Sequence, residues 1–221
     1  RRSGWPRRLG AFSDRVSEAL EVGDFAVARY WAGGWSEAEP ERAEPWTARA
    51  RLEVWVGDLD LAGEMIEKAR QQIEPPATGA AAVDLLMVEG QWHYASGHAD
   101  KARASADQGL QLARRAGLSD RVSELLADLV FALCALQRAE KAAGVVKDWR
   151  RAKTRPTDSP ADALHVARSR ARVQAAQQDW QSVVAILEAA LRELPARHVY
   201  RASVEMILAS ALVSLHRGQE A

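Results

Sequence analysis

Two short stretches of the sequence repeat one pattern: residues 21–28 read EVGDFAVA and residues 55–62 read WVGDLDLA. The copies lie 34 residues apart. In each copy, Gly can end a helix in the left-handed conformation without a Cβ clash, and the Asp after it can cap the next helix. Ala28 and Ala62 are small enough to let the two helices approach closely. The pattern therefore predicts a joint between two antiparallel helices.

Looser copies of the joint occur at residues 96–102, 178–183 and 216–221, and Gln137 stands where another copy would have its glycine. The aligned small positions are spaced by 34, 40, 40, 41 and 38 residues. They are Ala28, Ala62, Ala102, Ala142, Val183 and Ala221. A period of this size, built from helix pairs, is typical of a helical solenoid, in which each pair buries its apolar face against the next pair.

The composition favours helices along the whole chain. Ala, Leu, Arg and Glu are abundant, while Val and Ile are scattered rather than clustered as in strands. Prolines and one Gly-Leu-Ser-Asp junction separate the helical patterns. We expect no sheet, and helices near 13–22, 24–37, 45–56, 58–73, 80–95, 99–116, 120–137, 139–153, 160–177, 179–193 and 197–216.

The chain resembles tetratricopeptide repeats over nearly all of its length. The first helix of a repeat opens with a large residue, as at Trp46 and Leu86, and carries a small residue four positions later, as at Ala50 and Gly90. Glu53 departs from the family, which usually has an aromatic residue at that position. The resemblance implies an all-α, right-handed helical solenoid of antiparallel helix pairs, with about five and a half repeats.

We expect one solenoid domain over residues 1–221, as a fragment of a longer protein. The repeats are expected near 9–42, 43–76, 83–116, 120–156, 160–195 and 197–221. A narrower likeness is present in residues 50–59 and 111–117, which resemble helical repeats of large bacterial signal-transduction ATPases. That group includes transcription regulators of the maltose-activator type, and the likeness implies a regulatory role.

Several kinds of chemistry lack their sequence signals. The thirty basic and thirty acidic residues give no net charge, so we expect neither nucleic acid nor a membrane as partner. The sequence contains no P-loop and no nucleophile motif, and its five histidines have no zinc-binding spacing. Cys134, the one cysteine, lies in an apolar stretch without a histidine beside it. We therefore predict no enzyme activity, no cofactor and no metal.

The resemblance implies that the first helices of the pairs line a concave binding face. Candidate partner-binding residues follow from matching positions, and i, i+3 and i, i+4 spacing places each pair of them on one helix face. They are Arg51, Trp55, Gln91, Tyr94, Phe131, His165, Arg168 and Arg172. The same matching adds Thr47, Met87, Ala127, Cys134, Met206 and Ser210. For Trp55 and Phe131, packing in the core is the alternative.

Two functions follow for such a trough, with an aromatic floor and basic flanks. One is a non-enzymatic scaffold that binds a protein or peptide segment, an acidic one because of the arginines, in the bacterial cytoplasm. The alternative is an effector-sensing region of a larger bacterial transcription regulator. The last helix is also expected to contact another copy or a continuation of the chain through Leu208, Leu212 and Leu215, because its apolar face lacks a covering helix.

Overall fold

The computed structural model describes residues 10–75, 77–152, 160–194 and 200–220. Over these residues the chain forms eleven α-helices and no strand. The helices are α1 Gly10–Glu21, α2 Phe25–Ala38, α3 Ala43–Val56, α4 Leu59–Gln71, α5 Gly79–Ala95, α6 Ala99–Ala116, α7 Ser119–Ala135, α8 Ala139–Ala152, α9 Pro160–Ala176, α10 Trp180–Glu193 and α11 Arg201–Glu220. Every predicted helix is present, with its ends within four residues of the prediction.

The helices pack against their neighbours in chain order. In addition, α3 contacts α5, α5 contacts α7, and α7 contacts α9. These four odd-numbered helices therefore form one layer, which we call the inner helices. The predicted all-α helical-repeat solenoid is confirmed.

The joint between α3 and α4 has the predicted geometry. Gly57 lies in the left-handed region with φ 94°, and the N–H groups of Gly57 and Asp58 both donate to the carbonyl oxygen of Glu53 at 2.9 Å. The Asp58 side chain accepts from the N–H of Leu61 at 3.2 Å, which caps α4. Ala62 is completely buried. A side chain larger than Ala would separate the two helices here.

The same joint recurs without glycine at two positions. Gln137 and Gln178 have φ values of 58° and 63°. A residue with a Cβ adopts this conformation at a cost of roughly 1–2 kcal/mol, which the packing of the joined helices must offset. The aligned small residues of these joints, Ala142 and Val183, are completely buried. The chain therefore keeps the joint even where the glycine signal is missing.

Two expectations from the sequence need correction. The copy of the joint expected at residues 216–221 is not a turn, since α11 continues through Gly218 to Glu220, and Ala221 lies outside the described residues. Glycine permits a turn but does not impose one, and in a helix it costs only about 1 kcal/mol relative to Ala. Pro45 and Pro160 lie within the first turns of α3 and α9 rather than between helices. There a missing N–H removes no intrahelical hydrogen bond.

The departure at Glu53 has a structural explanation. Its side chain is buried and forms an ion pair with the Arg29 guanidinium of α2, whose Nε donates to Glu53 Oε1 at 3.0 Å. A buried carboxylate needs such a partner. The position is thus buried, and an ion pair rather than an aromatic side chain links α2 to α3 there.

The exposed apolar side chains of α11 differ from those expected. Leu212 is exposed as predicted, together with Met206 and Val213. Leu208 is half-buried and packs against the apolar cluster that contains Leu187. Contact of this face with a second copy stays a prediction.

Candidate functional site: a cavity between the inner helices

All four inner helices contribute side chains to one cavity of about 200 Å³. We call it the central cavity. Tyr200, which precedes α11, closes part of its wall. Its lining residues are Val54, Trp55, Gly90, Gln91, Tyr94, Ala95, Glu124, Ala127, Asp128, Phe131, His165, Arg168 and Tyr200. Aromatic rings and charged groups therefore share one small space.

The aromatic rings of the wall support each other. The Tyr200 ring meets the Trp55 ring edge to face, with centroids 5.8 Å apart, and the His165 ring in the same way at 5.5 Å. The rings of Tyr94 and Phe131 lie 6.2 Å apart. Such pairs contribute about 0.5–1.5 kcal/mol beyond their buried area. These contacts restrict the rotamers of the rings and so preform the wall.

Arg168 lies in the middle of the cavity wall. Its guanidinium carbon is 5.3 Å from the centroid of the Phe131 ring and 4.6 Å from that of Tyr200. This is cation–π geometry. Its Nε is shielded from solvent and has no hydrogen-bond partner among the described residues. Burial lowers the pKa of Arg168, although Tyr200, Asp128 and Glu124 attract its charge.

Two carboxylates of α7 face the same space, one helical turn apart. The side-chain nitrogen of Gln91 donates to Glu124 Oε1 at 3.0 Å and to Asp128 Oδ2 at 3.3 Å. The other polar atom of the amide, Gln91 Oε1, is buried and has no hydrogen-bond partner among residues 10–75, 77–152, 160–194 and 200–220. Burial and the neighbouring Glu124 carboxylate raise the pKa of Asp128 to about 8. Asp128 is therefore mostly protonated at neutral pH.

Arg51, whose charge is attracted by Glu124 of the central cavity, belongs to a second cavity of about 340 Å³ nearer the start of the chain. Arg51 lines the second cavity, and its Nε is buried with no hydrogen-bond partner in the described part of the chain. Burial opposes its charge, but the carboxylates of Glu124 and Asp84 outweigh that effect and raise its pKa. Asp84 is itself bound by Arg121, whose Nε donates to Asp84 Oδ1 at 3.1 Å.

Arg172 lies next to the central cavity but does not line it. Its Nη2 donates to the hydroxyl oxygen of Tyr94 at 2.7 Å. This bond joins α9 to α5 and fixes the position of the Tyr94 ring. Arg172 is half-buried, as Arg51 and Arg168 are.

The structure brings the eight predicted partner-binding residues to one place. Six of them line the central cavity: Trp55, Gln91, Tyr94, Phe131, His165 and Arg168. The other two, Arg51 and Arg172, interact with groups of that wall. The expected trough with basic flanks stays a prediction. Arg168, expected on one flank, has its guanidinium beside the Phe131 and Tyr200 rings. Whether these residues bind a partner stays a prediction.

Four residues of the site were not among the predicted ones: Asp84, Glu124, Asp128 and Tyr200. One of them had a signal in the sequence. Asp128 interrupts the most apolar stretch of the chain and lies three residues before Phe131, on the same helix face. An acidic residue at such a position is costly to bury and indicates a polar site. Tyr200 had no comparable signal, since it lies near the start of the helix expected over 197–216, at a position for which the repeat resemblance implied no role.

Some of the additional trough candidates belong to the core. Met87 and Cys134 are buried in the largest apolar cluster, and burial raises the pKa of the Cys134 thiol. Thr47 lines the second cavity, and Met206 is exposed on α11. In the described part of the chain, no group of three His, Cys, Asp or Glu side chains is placed to hold a metal ion. None of the helices searched over those residues is long and apolar enough to cross a membrane.

Comparison with known proteins supports the fold alone. No protein-family model matches the chain, and no curated protein matches it. Among solved structures, the crystal structure of BtubC (BKLC) from P. vanneervenii is similar, with a TM-score of 0.56 and 17% sequence identity. The similarity covers 97% of this chain and 85% of that chain. Fold and comparison together define the class of protein as an all-α helical-repeat protein.

Proposed function

We propose that the chain is a non-enzymatic interaction module of the tetratricopeptide type, whose inner helices bind a protein or peptide segment. The observation that supports this most is the convergence of four successive inner helices on one preformed wall. A partner that binds there would lose little free energy to ordering this wall, because stacking and the Arg172–Tyr94 bond already hold its side chains. We place this activity in the bacterial cytoplasm.

The charges of the site favour an acidic segment. Arg121 is paired with Asp84, which leaves Arg51, Arg168 and Arg172 opposite two carboxylates, Glu124 and Asp128. Because Asp128 is mostly protonated at neutral pH, the site carries an excess of positive charge. A carboxylate of the partner can form charge-assisted hydrogen bonds with these guanidinium groups, which are stronger than neutral ones.

A selection of random twelve-residue peptides against the folded chain tests this proposal. We expect the enriched peptides to be acidic, and Arg172→Glu to weaken their binding by about 10–100-fold, since a hydrogen bond to a charged group is worth roughly 1.5–3 kcal/mol. Fluorescence anisotropy measures the dissociation constants. Arg192→Glu is the matched control, because Arg192 is exposed on α10, which is not one of the inner helices (we call α4, α6, α8 and α10 the outer helices). Equal binding by both variants, or hydrogen-exchange protection on the outer helices, would contradict the proposal.

A second function, an effector-sensing region of a larger bacterial transcription regulator, is favoured by one observation. The central cavity is a small space lined by buried polar atoms that lack partners, namely Arg168 Nε and Gln91 Oε1. Sites for small molecules are typically concave, with apolar walls and a few placed polar groups. A small effector would connect α3, α5, α7 and α9 and so shift the balance between arrangements of the solenoid.

A further inference from the structure

Groups of opposite charge face the central cavity without bonding to each other. The Arg168 guanidinium is attracted by Asp128 and Glu124, yet no hydrogen bond joins it to either carboxylate. Within the part of the chain that the structure describes, Arg168 Nε has no hydrogen-bond partner, and it is shielded from solvent. At the other side, Gln91 donates to both carboxylates, and its Oε1 is buried without a donor. Among the described residues, the cavity wall thus has a donor without an acceptor, Arg168 Nε, and an acceptor without a donor, Gln91 Oε1. The first belongs to the positive guanidinium, and the second lies beside the negative Glu124 carboxylate.

Buried polar atoms without partners are rare and costly, so this pattern describes what would complete the site. An acceptor is needed at Arg168 Nε and a donor is needed at Gln91 Oε1, which lies beside the Glu124 carboxylate. A simple anion would serve Arg168 and leave Gln91 Oε1 without a donor. A simple cation would satisfy Gln91 and Glu124 but would be repelled by Arg168. A molecule that carries both charges a short distance apart matches both groups.

The size and walls of the cavity restrict this molecule further. A volume of about 200 Å³, at about 30 Å³ for each water molecule, equals the space of roughly seven water molecules. The Trp55 and Tyr94 rings and the Val54 side chain supply apolar surface around that space. A small molecule with one short apolar group therefore fits, while a folded partner or a long side chain does not.

We propose that the central cavity binds a free α-amino acid as the zwitterion, one with an apolar side chain of valine to leucine size. The carboxylate accepts from Arg168 Nε, and the ammonium group donates to Gln91 Oε1 and to the Glu124 carboxylate. The side chain packs against Trp55 and Tyr94. This inference rests on the effector-sensing form of the proposed function and names its ligand class.

Thermal melting of the chain with L-valine, L-leucine, L-isoleucine or L-methionine tests the ligand class. We expect at least one of them to raise the melting temperature by about 3–6 °C at ten times its dissociation constant. Three analogues of leucine lack one or both charges of the zwitterion: 4-methylpentanoate has no ammonium group, 3-methylbutylamine has no carboxylate, and N-acetyl-leucine amide has neither. We expect each to raise the melting temperature by less than about 1 °C under the same conditions.

A pair of variants locates the binding site. Arg168→Gln should weaken the binding of the amino acid at least about tenfold in calorimetry, because the carboxylate loses its charged donor. Arg170→Gln is the matched control, because Arg170 is exposed on the same helix α9 and outside the cavity lining, and this variant should bind the amino acid as the unchanged chain does. Circular dichroism shows whether both variants are folded. If a variant does not fold, the analogue series on the unchanged chain still tests the ligand class.

Two results would overturn the inference. One is the absence of a shift with all four amino acids at about 10 mM, far above the dissociation constants of ordinary specific sites. The other is an equal shift with an analogue that lacks one charge. Either result leaves the peptide scaffold intact if selected peptides still bind and lose affinity in Arg172→Glu. Conversely, amino-acid binding without peptide binding would support the effector site and contradict the scaffold.

Discussion

Two adjacent residues of α7, Glu124 and Leu125, lie on different faces of the helix and have very different surroundings. Leu125 is completely buried in the largest apolar core. It packs closely on Gly109, since a Cβ atom added to Gly109 would lie only 2.7 Å from Leu125 Cδ2. The neighbouring Glu124, with Asp128 one turn later, faces the central cavity. The apolar face is filled by its neighbours, while the polar face leaves buried atoms without partners. Local departures of this kind from good packing are expected at functional sites rather than in the core.

The largest effect should come from a change in the apolar face. Leu125→Ala leaves a cavity in the core and should lower the free energy of unfolding by about 2–5 kcal/mol. Urea denaturation followed by circular dichroism measures it. Leu212→Ala is the matched control, since Leu212 is exposed on α11 and its loss should cost no more than about 0.5 kcal/mol. Similar losses in both variants would mean that Leu125 does not contribute to a packed core.

The joints should be the next most sensitive part. Ala62→Leu overpacks the crossing of α3 and α4, where Ala62 is completely buried, and should cost about 1–3 kcal/mol. The melting temperature reports the loss. Ala104→Leu, at an exposed position of α6, makes the same chemical change without a close neighbour and should leave the melting temperature nearly unaltered. An unaltered melting temperature in Ala62→Leu would refute the close approach of the helices at this joint.

The polar face should differ from the core in its response to pH. The pKa of Asp128 is raised to about 8 in the folded chain from its ordinary 3.8. Between these values the folded state binds more protons than the unfolded state, so the free energy of unfolding falls as the pH rises from about 4 to about 8. Asp128→Asn cannot ionise and should flatten that dependence. The two curves should lie closest near pH 4 and separate towards pH 8.

Urea denaturation at several pH values between 4 and 8 measures this difference. Asp148→Asn, an exposed change on α8, should keep the pH dependence of the unchanged chain. If Asp128→Asn also keeps it, Asp128 is ionised in the folded state and the polar face is more open to water than the structure indicates.

Much of the fold could be predicted from the sequence because its signals are local. Gly57 and Asp58 end one helix and start the next through bonds to residues within five positions. The small residue one turn later, Ala62, is also a local signal, because it indicates that α3 and α4 approach each other closely. Where the local signal misleads, as at Gly218, the residue permits two conformations at nearly equal cost, so its identity does not decide between them.

The candidate residues of the site were also predictable, but not their surroundings. Position within the repeat indicates which face of an inner helix a residue occupies, which is why Arg168 and Phe131 were both predicted. It does not indicate how deep the guanidinium lies, which depends on residues far away in the chain. Arg168 is covered by Tyr200 and faces Asp128, and neither contact follows from the repeat pattern.

The sequence alone thus determined the helices, their joints and the side of each inner helix that faces its neighbours, because these depend on hydrogen bonds and spacings of a few residues. Only the tertiary structure decided the depth and charge of the central cavity. That environment arises where α3, α5, α7 and α9 meet Tyr200. Burial and mutual charge then shift the pKa of Asp128 through contacts between residues distant in the chain, and Arg168 Nε has no hydrogen-bond partner among the described residues.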